Sequence, residues 1–457
     1  MTTFYIEQFG CRATQADGAA IERQLREQGC TAVAGRDSAD FVVLNTCTVT
    51  AAADAQARDV IRKIHVANPS TRIIVTGCYA QRAPEEIAAI PGVAHVVGNS
   101  HKPQIATLLK TISAAPISRN DEPAPYHSAP ILSGDIFVLS DVLVAPVLGG
   151  EGNHTRPTLK IQDGCNSRCS FCVIPFVRGK SRSLPVATVL AEIQKLASSG
   201  FREIVLSGIN LGTYGRDLTP GVEFLELLKR ILDQTRVERL RISSIEPLDV
   251  TQDLIDLFAA SNRIAPHFHM PLQSASNRIL AAMHRWYRAE HYARRVELIH
   301  ERLPDAAIGA DVIAGFPGET EEDHAATLRF IEQRPFTYLH VFSYSLRPAT
   351  RAASLPSHLP GEIIKRRARE LRALAEAKSA AFGHSQVGRT LRVLTMHRNA
   401  NDDASQTPAL SGNYVSVMIP DVLPHNQWLD VSLAPGEGKT LVAWPLEASV
   451  ESTGGAG

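Results

Sequence analysis

The sequence predicts an α/β protein in three parts: an N-terminal parallel-sheet α/β domain, an open, partial (βα)6 barrel, and a small C-terminal β-barrel. Three observations predict it. A chain of 457 residues exceeds what one compact core accommodates, so two to three domains are expected. Strand-like and helix-like runs alternate from Thr3 to about Lys110 and again from Arg156, the pattern that builds parallel sheets. After Gly383 the texture changes to short strand-like runs separated by turn signals.

In the first part, Phe4 to Cys11 reads as a strand ending in a Gly-Cys turn, followed by a helix from about Gln15 to Gln28. Phe41 to Cys47 is a buried strand, Ala51 to Val66 a helix, and Ile73 to Cys78 a third strand. The stretch from Thr111 to Thr155 dissolves into Pro, Ser and Gly and reads as a linker, in which the apolar run Ile136 to Val147 adds a strand. Six strand-like runs then follow, at 159–162, 203–207, 239–243, 267–272, 306–314 and 338–344. Six units are too few for a closed eight-unit barrel, and the chemistry of such a sheet faces the carboxyl ends of its strands. Ile363 to about Phe382 is a long basic helix, and 451–457 is expected to be a disordered tail.

Composition excludes more than it selects. Lys+Arg and Asp+Glu are equal at 47, so any RNA contact must come from local basic patches. The start of the chain lacks the pattern of a signal peptide, and no apolar run reaches the roughly 18 residues of a membrane span, so no membrane partner is expected. Seven cysteines, six of them at ends of strand-like runs, suit metal ligation in a reducing, cytoplasmic setting better than a disulfide framework.

The run Gln162-Asp-Gly-Cys165-Asn-Ser-Arg-Cys169-Ser-Phe-Cys172 carries the chemistry. Thiolates are the usual ligands of iron–sulfur clusters. Three at this spacing hold three irons of a [4Fe–4S] cube and leave the fourth open to a ligand that is not protein. A redox dithiol or half a zinc site would need only Cys169 and Cys172, and neither explains Cys165. Cys11, Cys47 and Cys78 each follow a different strand of the first domain and converge on one sheet edge, where ligands of parallel sheets bind. Buried core cysteines would fall inside the strands. Cys30, in a turn, is structural.

With an aromatic before its third cysteine, the Cys165–Cys172 spacing resembles the radical S-adenosylmethionine (SAM) superfamily. The two cysteine sets together resemble the radical SAM methylthiotransferases over nearly the whole chain. Matching motifs include Gly10-Cys11, Leu44-Asn-Thr-Cys47, Thr76-Gly-Cys78, Arg178-Gly, Gly315-Phe-Pro-Gly-Glu-Thr320 and Tyr344-Ser-Leu-Arg347. The stretch from His340 to Ala353 is most like the MtaB-type branch. The resemblance divides the chain into a methylthiotransferase domain (1–110), a linker (111–155), a radical SAM partial barrel (156–383) and an RNA-binding-type TRAM-like β-domain (384–450). It departs from the family pattern at Thr14 (usually Asn), Ala275 and Ala349 (usually Gly).

What the resemblance implies is specific. Two [4Fe–4S] clusters and SAM are the cofactors. Cys165, Cys169 and Cys172 hold the catalytic cluster, which cleaves SAM to a 5′-deoxyadenosyl radical. Cys11, Cys47 and Cys78 hold the cluster that carries sulfur. From their place at or near polar strand ends, rather than from the resemblance, Gly208, Ser244, Glu246 and Gln273 are expected to contact SAM, and Asp311 or Arg347 to orient substrate. The substrate is the tRNA anticodon loop, methylthiolated at carbon 2 of threonylcarbamoyladenosine, with a flavodoxin- or ferredoxin-type electron donor and a sulfur donor as partners. Alternatives are isopentenyladenosine tRNA, an aspartate of a small-subunit ribosomal protein, and, outside enzymes, an iron–sulfur carrier or electron-transfer protein. From Gln386 to Gly457 four Lys/Arg stand against seven Asp/Glu, a net of about −3, which makes the C-terminal domain a poor phosphate binder. RNA contact is therefore expected from Arg178, Lys180 and Arg182 and from the basic helix beginning at Lys365.

Overall fold

In a computed structural model, the structure describes residues 2–114, 128–139, 142–143, 146–147, 155–398, 402–436 and 440–446. The predicted tail, 451–457, lies outside them, as does much of the predicted linker. The N-terminal sheet has six parallel strands, β1 (Thr3–Gln8), β2 (Thr31–Ala32), β3 (Phe41–Thr46), β4 (Arg72–Gly77), β5 (Val93–Gly98) and β6 (Ile131–Leu132), in the order β2-β1-β3-β4-β5-β6. β3 is buried throughout because its β-branched and aromatic residues serve both faces. Val42, Leu44, Ile73 and Val75 pack with Ile61 and Ile64 of the helix Ala51–Ala67. On the other face, Phe4, Phe41, Val43 and Ile74 pack with Ile21 and Leu25 of helix α1 (Arg12–Glu27). α1 begins directly after Cys11, three residues earlier than its apolar spacing predicts.

The expected strand in 136–147 is short and sits at its end. Ile136–Val138 is one 3-10 turn, and β7 (Pro146–Val147) pairs antiparallel with β8 (Thr158–Lys160). β9 (Gln162–Asp163) and β10 (Arg182–Ser183) form a small antiparallel pair that brackets the cysteine loop. The other five barrel strands are β11 (Glu203–Ser207), β12 (Arg239–Ile242), β13 (His267–His269), β14 (Ala307–Ala314) and β15 (Tyr338–Ser343). β8, β11 and β12 form one parallel ladder and β13, β14 and β15 another, linked by the bridge Leu240–Ile264 just before β13 and by Ile245 N donating to His269 O (3.0 Å). The result is the open, partial barrel of six βα units expected from the sequence, its core shared with the surrounding helices.

After the long helix Gly361–Ser385, β16 (Thr390–Thr395), β17 (Thr407–Ser411), β18 (Ser416–Ile419), β19 (Trp428–Pro435) and β20 (Leu441–Pro445) close a five-stranded barrel in the order β16-β17-β18-β20-β19. It is bolted to the floor of the partial barrel. Arg241 donates to the carbonyls of Ser411 (3.0 Å) and Gly412 (2.9 Å), and Arg239 to that of Leu410 (3.2 Å). Buried Glu203 neutralises both, together with Arg156, and these three cations hold its carboxyl far below the usual range against the upward push of burial. Tyr414, in the β17–β18 turn, packs its ring 4.5 Å from His267 and 5.5 Å from Tyr338.

Candidate active site

The three cysteines of the first domain meet at the carboxyl edge of its sheet. Cys11 follows β1, Cys47 follows β3 and Cys78 follows β4. Gly10 and Gly77 turn the chain at two of these ends with φ of +98° and +99°, a region closed to residues with a Cβ. A Cβ on Gly10 would also lie 2.4 Å from that of Cys47, so the glycine permits the close approach. Burial, aided by the neighbouring thiols of Cys78 and Cys11, pushes the Cys47 thiol up to about 12. A bare thiolate is unfavourable there, whereas one bonded to iron is neutralised. Asn99 donates to Val177 O (2.7 Å) and lies 3.5 Å from Cys78 Sγ, tying this edge to the helix Ile174–Arg178 that follows the second cysteine set.

Cys165, Cys169 and Cys172 occupy the loop between β9 and that helix. The loop is held by Cys165 N donating to Gly179 O (3.1 Å) and Cys172 N to Cys169 O (3.1 Å). Burial pushes the Cys172 thiol up to about 12 and raises that of Cys169. Arg285 opposes the rise at Cys169 by donating to its sulfur at 3.2 Å, and it also pairs with Glu246. A donor set of three thiols with one guanidinium beside it suits a thiolate-ligated cluster. Beside Cys169 and Cys172 opens a cavity of about 600 Å³ whose walls include Arg168, Phe176, His284 and Arg351.

A buried ion cluster joins the two sets. Asp17 of α1 accepts from Lys102 (2.7 Å), from Arg178 (2.9 Å) and from Lys160 of β8. Asp163, two residues before Cys165, accepts from Lys160 (2.9 Å) and Arg178 (2.9 Å). The surrounding cations hold both carboxyls well below their ordinary range although burial alone would raise them.

The other residues expected at the site divide. Gly208 follows β11 and Ser244 follows β12, at the barrel rim. Gln273 has a φ of +61° and a buried Oε1 without a hydrogen-bond partner, a polar atom available to a ligand. Glu246 is engaged by Arg285. Asp311 accepts from His269 Nε2 (3.0 Å) and His340 Nδ1 (3.2 Å), and these bonds keep it ionised.

Arg347 requires a correction. It is 3% exposed, and its guanidinium donates to Thr48 Oγ1 (2.8 Å) and to Asp54 of the N-terminal domain, so it braces two domains and presents no free fork to a substrate. Arg178 and Arg182 are likewise buried, Arg178 in the ion cluster and Arg182 donating to the carbonyls of residues 178 and 180, which leaves Lys180 alone of that trio exposed. On the basic helix Arg367 is buried against Glu319, while Lys365, Arg369 and Arg372 are exposed. Arg285 escaped sequence reasoning because nothing local marks it; its partners stand 39 and 116 residues away.

A three-cysteine loop at the mouth of an open parallel (βα)6 barrel defines a radical SAM protein. The family model described as "Radical SAM superfamily" matches residues 159–331, and the one described as "Uncharacterized protein family UPF0004" matches residues 3–98. Threonylcarbamoyladenosine tRNA methylthiotransferase MtaB of Aquifex aeolicus is 38% identical over 90% of this chain and 95% of its own, and that of Bacillus subtilis 35% identical over 92% and 90%. A tRNA-2-methylthio-N(6)-dimethylallyladenosine synthase of Thermobifida fusca is 35% identical over 88% of this chain and 79% of its own. The chain belongs to the radical SAM tRNA methylthiotransferase family and is a transferase. Among solved structures, the radical SAM methyltransferase TsrM of Kitasatospora setae matches with a TM-score of 0.55 over 77% of each chain at 17% identity, a likeness of fold alone.

Proposed function

We propose that this enzyme replaces the hydrogen on carbon 2 of threonylcarbamoyladenosine, beside the tRNA anticodon, with a methylthio group. The observation that carries the reading is the character of the barrel wall. His269, Asp311, Tyr338 and His340 make it polar and hydrogen-bonding, which suits a threonylcarbamoyl group better than an apolar isopentenyl tail. The relatives named for threonylcarbamoyladenosine, matched over nearly their whole length, support the same choice.

Cys165, Cys169 and Cys172 hold one [4Fe–4S] cluster, and Cys11, Cys47 and Cys78 a second. With SAM bound, the two supply the one-electron chemistry and the sulfur that the unactivated carbon requires. The chain's own residues do the positioning. Arg285 fixes Cys169 and Glu246 relative to each other. Gly208, Ser244 and Gln273 line the rim where SAM sits. The Asp17–Lys160–Arg178–Asp163 cluster and the Asp54–Arg347 pair lock the two cysteine sets at a fixed separation. A splayed-out base enters between them, as a single-stranded loop permits. A flavodoxin- or ferredoxin-type protein delivers electrons, and a separate donor replaces the sulfur.

The test is a competition. The reconstituted enzyme, given equal amounts of tRNA carrying threonylcarbamoyladenosine and isopentenyladenosine, is expected to methylthiolate the first. Preference for the second would overturn the reading.

A further inference from the structure

Arg347 being engaged by Asp54, another group must meet the threonyl carboxylate. We propose that Arg12 is the specificity-determining residue, its guanidinium capturing the carboxylate of the threonylcarbamoyl group inside the barrel. The inference rests on the reading of the substrate given above.

Arg12 is the first residue of α1 and follows Cys11 directly, so it stands beside the cysteine set assigned to sulfur delivery. The same helix is anchored over the barrel by Asp17, bonded to Lys160 of β8 and to Arg178. Arg12 is half-buried, yet no carboxylate or carbonyl among the described residues accepts from it. That is unusual in this molecule. The buried arginines at 178, 239, 241, 285, 347 and 367 all have carboxylate partners. A half-buried guanidinium left unpaired is costly, and an arriving anion relieves that cost.

Its charge reaches the barrel interior: burial and Arg241 lower the His267 imidazole and Arg12 adds a smaller push the same way, while burial raises the Tyr338 phenol and Arg12 partly opposes that rise. Tyr338 is bonded to His267 (2.8 Å) and His269 (2.9 Å), and His269 to Asp311, so this wall is fixed by hydrogen bonds. The other anion on that wall, Asp311, is occupied by two imidazoles. Adenine geometry fits the arrangement. Carbon 2 and the N6 substituent flank N1 on opposite sides, so a base whose carbon 2 faces the cysteine sets can send its N6 chain toward the barrel wall. Arginine's planar fork matches a carboxylate bidentately.

The experiment measures binding of anticodon stem–loops carrying threonylcarbamoyladenosine, isopentenyladenosine or plain adenosine to the reconstituted holoenzyme, with Arg12→Gln and Arg12→Lys beside wild type. Wild type should bind the threonylcarbamoyl loop about 10- to 100-fold more tightly than the plain one. Arg12→Gln should erase that difference while leaving affinity for the plain loop unchanged, and Arg12→Lys should restore part of it. Equal weakening for all three loops would assign Arg12 to a backbone phosphate and overturn the proposal. So would an intact preference in Arg12→Gln, or loss of half the iron from that variant, which would make Arg12 a support of the cluster. Failure of wild type itself to favour the threonylcarbamoyl loop would instead refute the substrate reading.

Discussion

Replacing Arg347 with methionine separates a domain brace from a substrate contact. Arg347 donates to Thr48 Oγ1 at 2.8 Å and to Asp54, and Arg82 donates to the same two groups at 2.9 and 3.0 Å. Arg347→Met therefore leaves Asp54 with one guanidinium. The loss is a charged hydrogen bond, about 1.5–3 kcal/mol. Asp54→Asn is expected to cost more, about 3–5 kcal/mol, because it strands a 3%-exposed guanidinium without an anion. For a unit of 150–250 residues these figures correspond to roughly 2–4 °C of melting temperature per kcal/mol. Calorimetry of the apoprotein should thus rank wild type above Arg347→Met above Asp54→Asn. If Arg347→Met melts with wild type and yet loses discrimination between modified adenosines, Arg347 touches substrate and the brace is wrong.

Ala349 has a φ of +66°, where a Cβ costs about 1–2 kcal/mol; allowing about 0.4–1 kcal/mol for the freer unfolded glycine, Ala349→Gly should stabilise by about 1 kcal/mol, read as a raised melting temperature. Asp17 and Asp163 have folded pKa values depressed below the unfolded value of about 3.9, so their contribution is complete above that pH and is lost as pH falls through the folded values. Urea midpoints of the apoprotein should be little altered by these groups between pH 7 and 5 and should fall below about pH 4; Asp17→Asn should be less stable at pH 7 and show a smaller acid fall. Reconstituted wild type should carry about eight irons, and substitution of Cys165, Cys169 and Cys172 by alanine should leave about half; stoichiometric zinc, or no loss of iron, would contradict the two-cluster assignment.

The parts of the site that are legible in the sequence are those with a local cause. Cys11, Cys47 and Cys78 announce themselves because each follows a strand-like apolar run, and the topology then brings strand ends together. Cys165, Cys169 and Cys172 are marked by spacing alone. Charge pairing is not local. Arg347 sits in a stretch with the look of a substrate loop, and only the fold reveals Asp54, 293 residues earlier, as its partner. Arg178 and Arg182 look like a basic patch, and burial beside Asp17 and Asp163 removes them from it. The strand Thr407–Ser411 is faint in the sequence because Pro408 and two small residues weaken its pattern, although barrel closure requires it. The start of α1 is misplaced because its first turn carries no side-chain cap.

The central claim is the product, and mass spectrometry of tRNA nucleosides from cells with and without this gene tests it directly. The account predicts that the 2-methylthio derivative of threonylcarbamoyladenosine disappears without the gene, while the unmethylthiolated parent nucleoside accumulates and the methylthio-isopentenyl nucleoside is unchanged. Loss of the isopentenyl product instead, or no change in either, would contradict it.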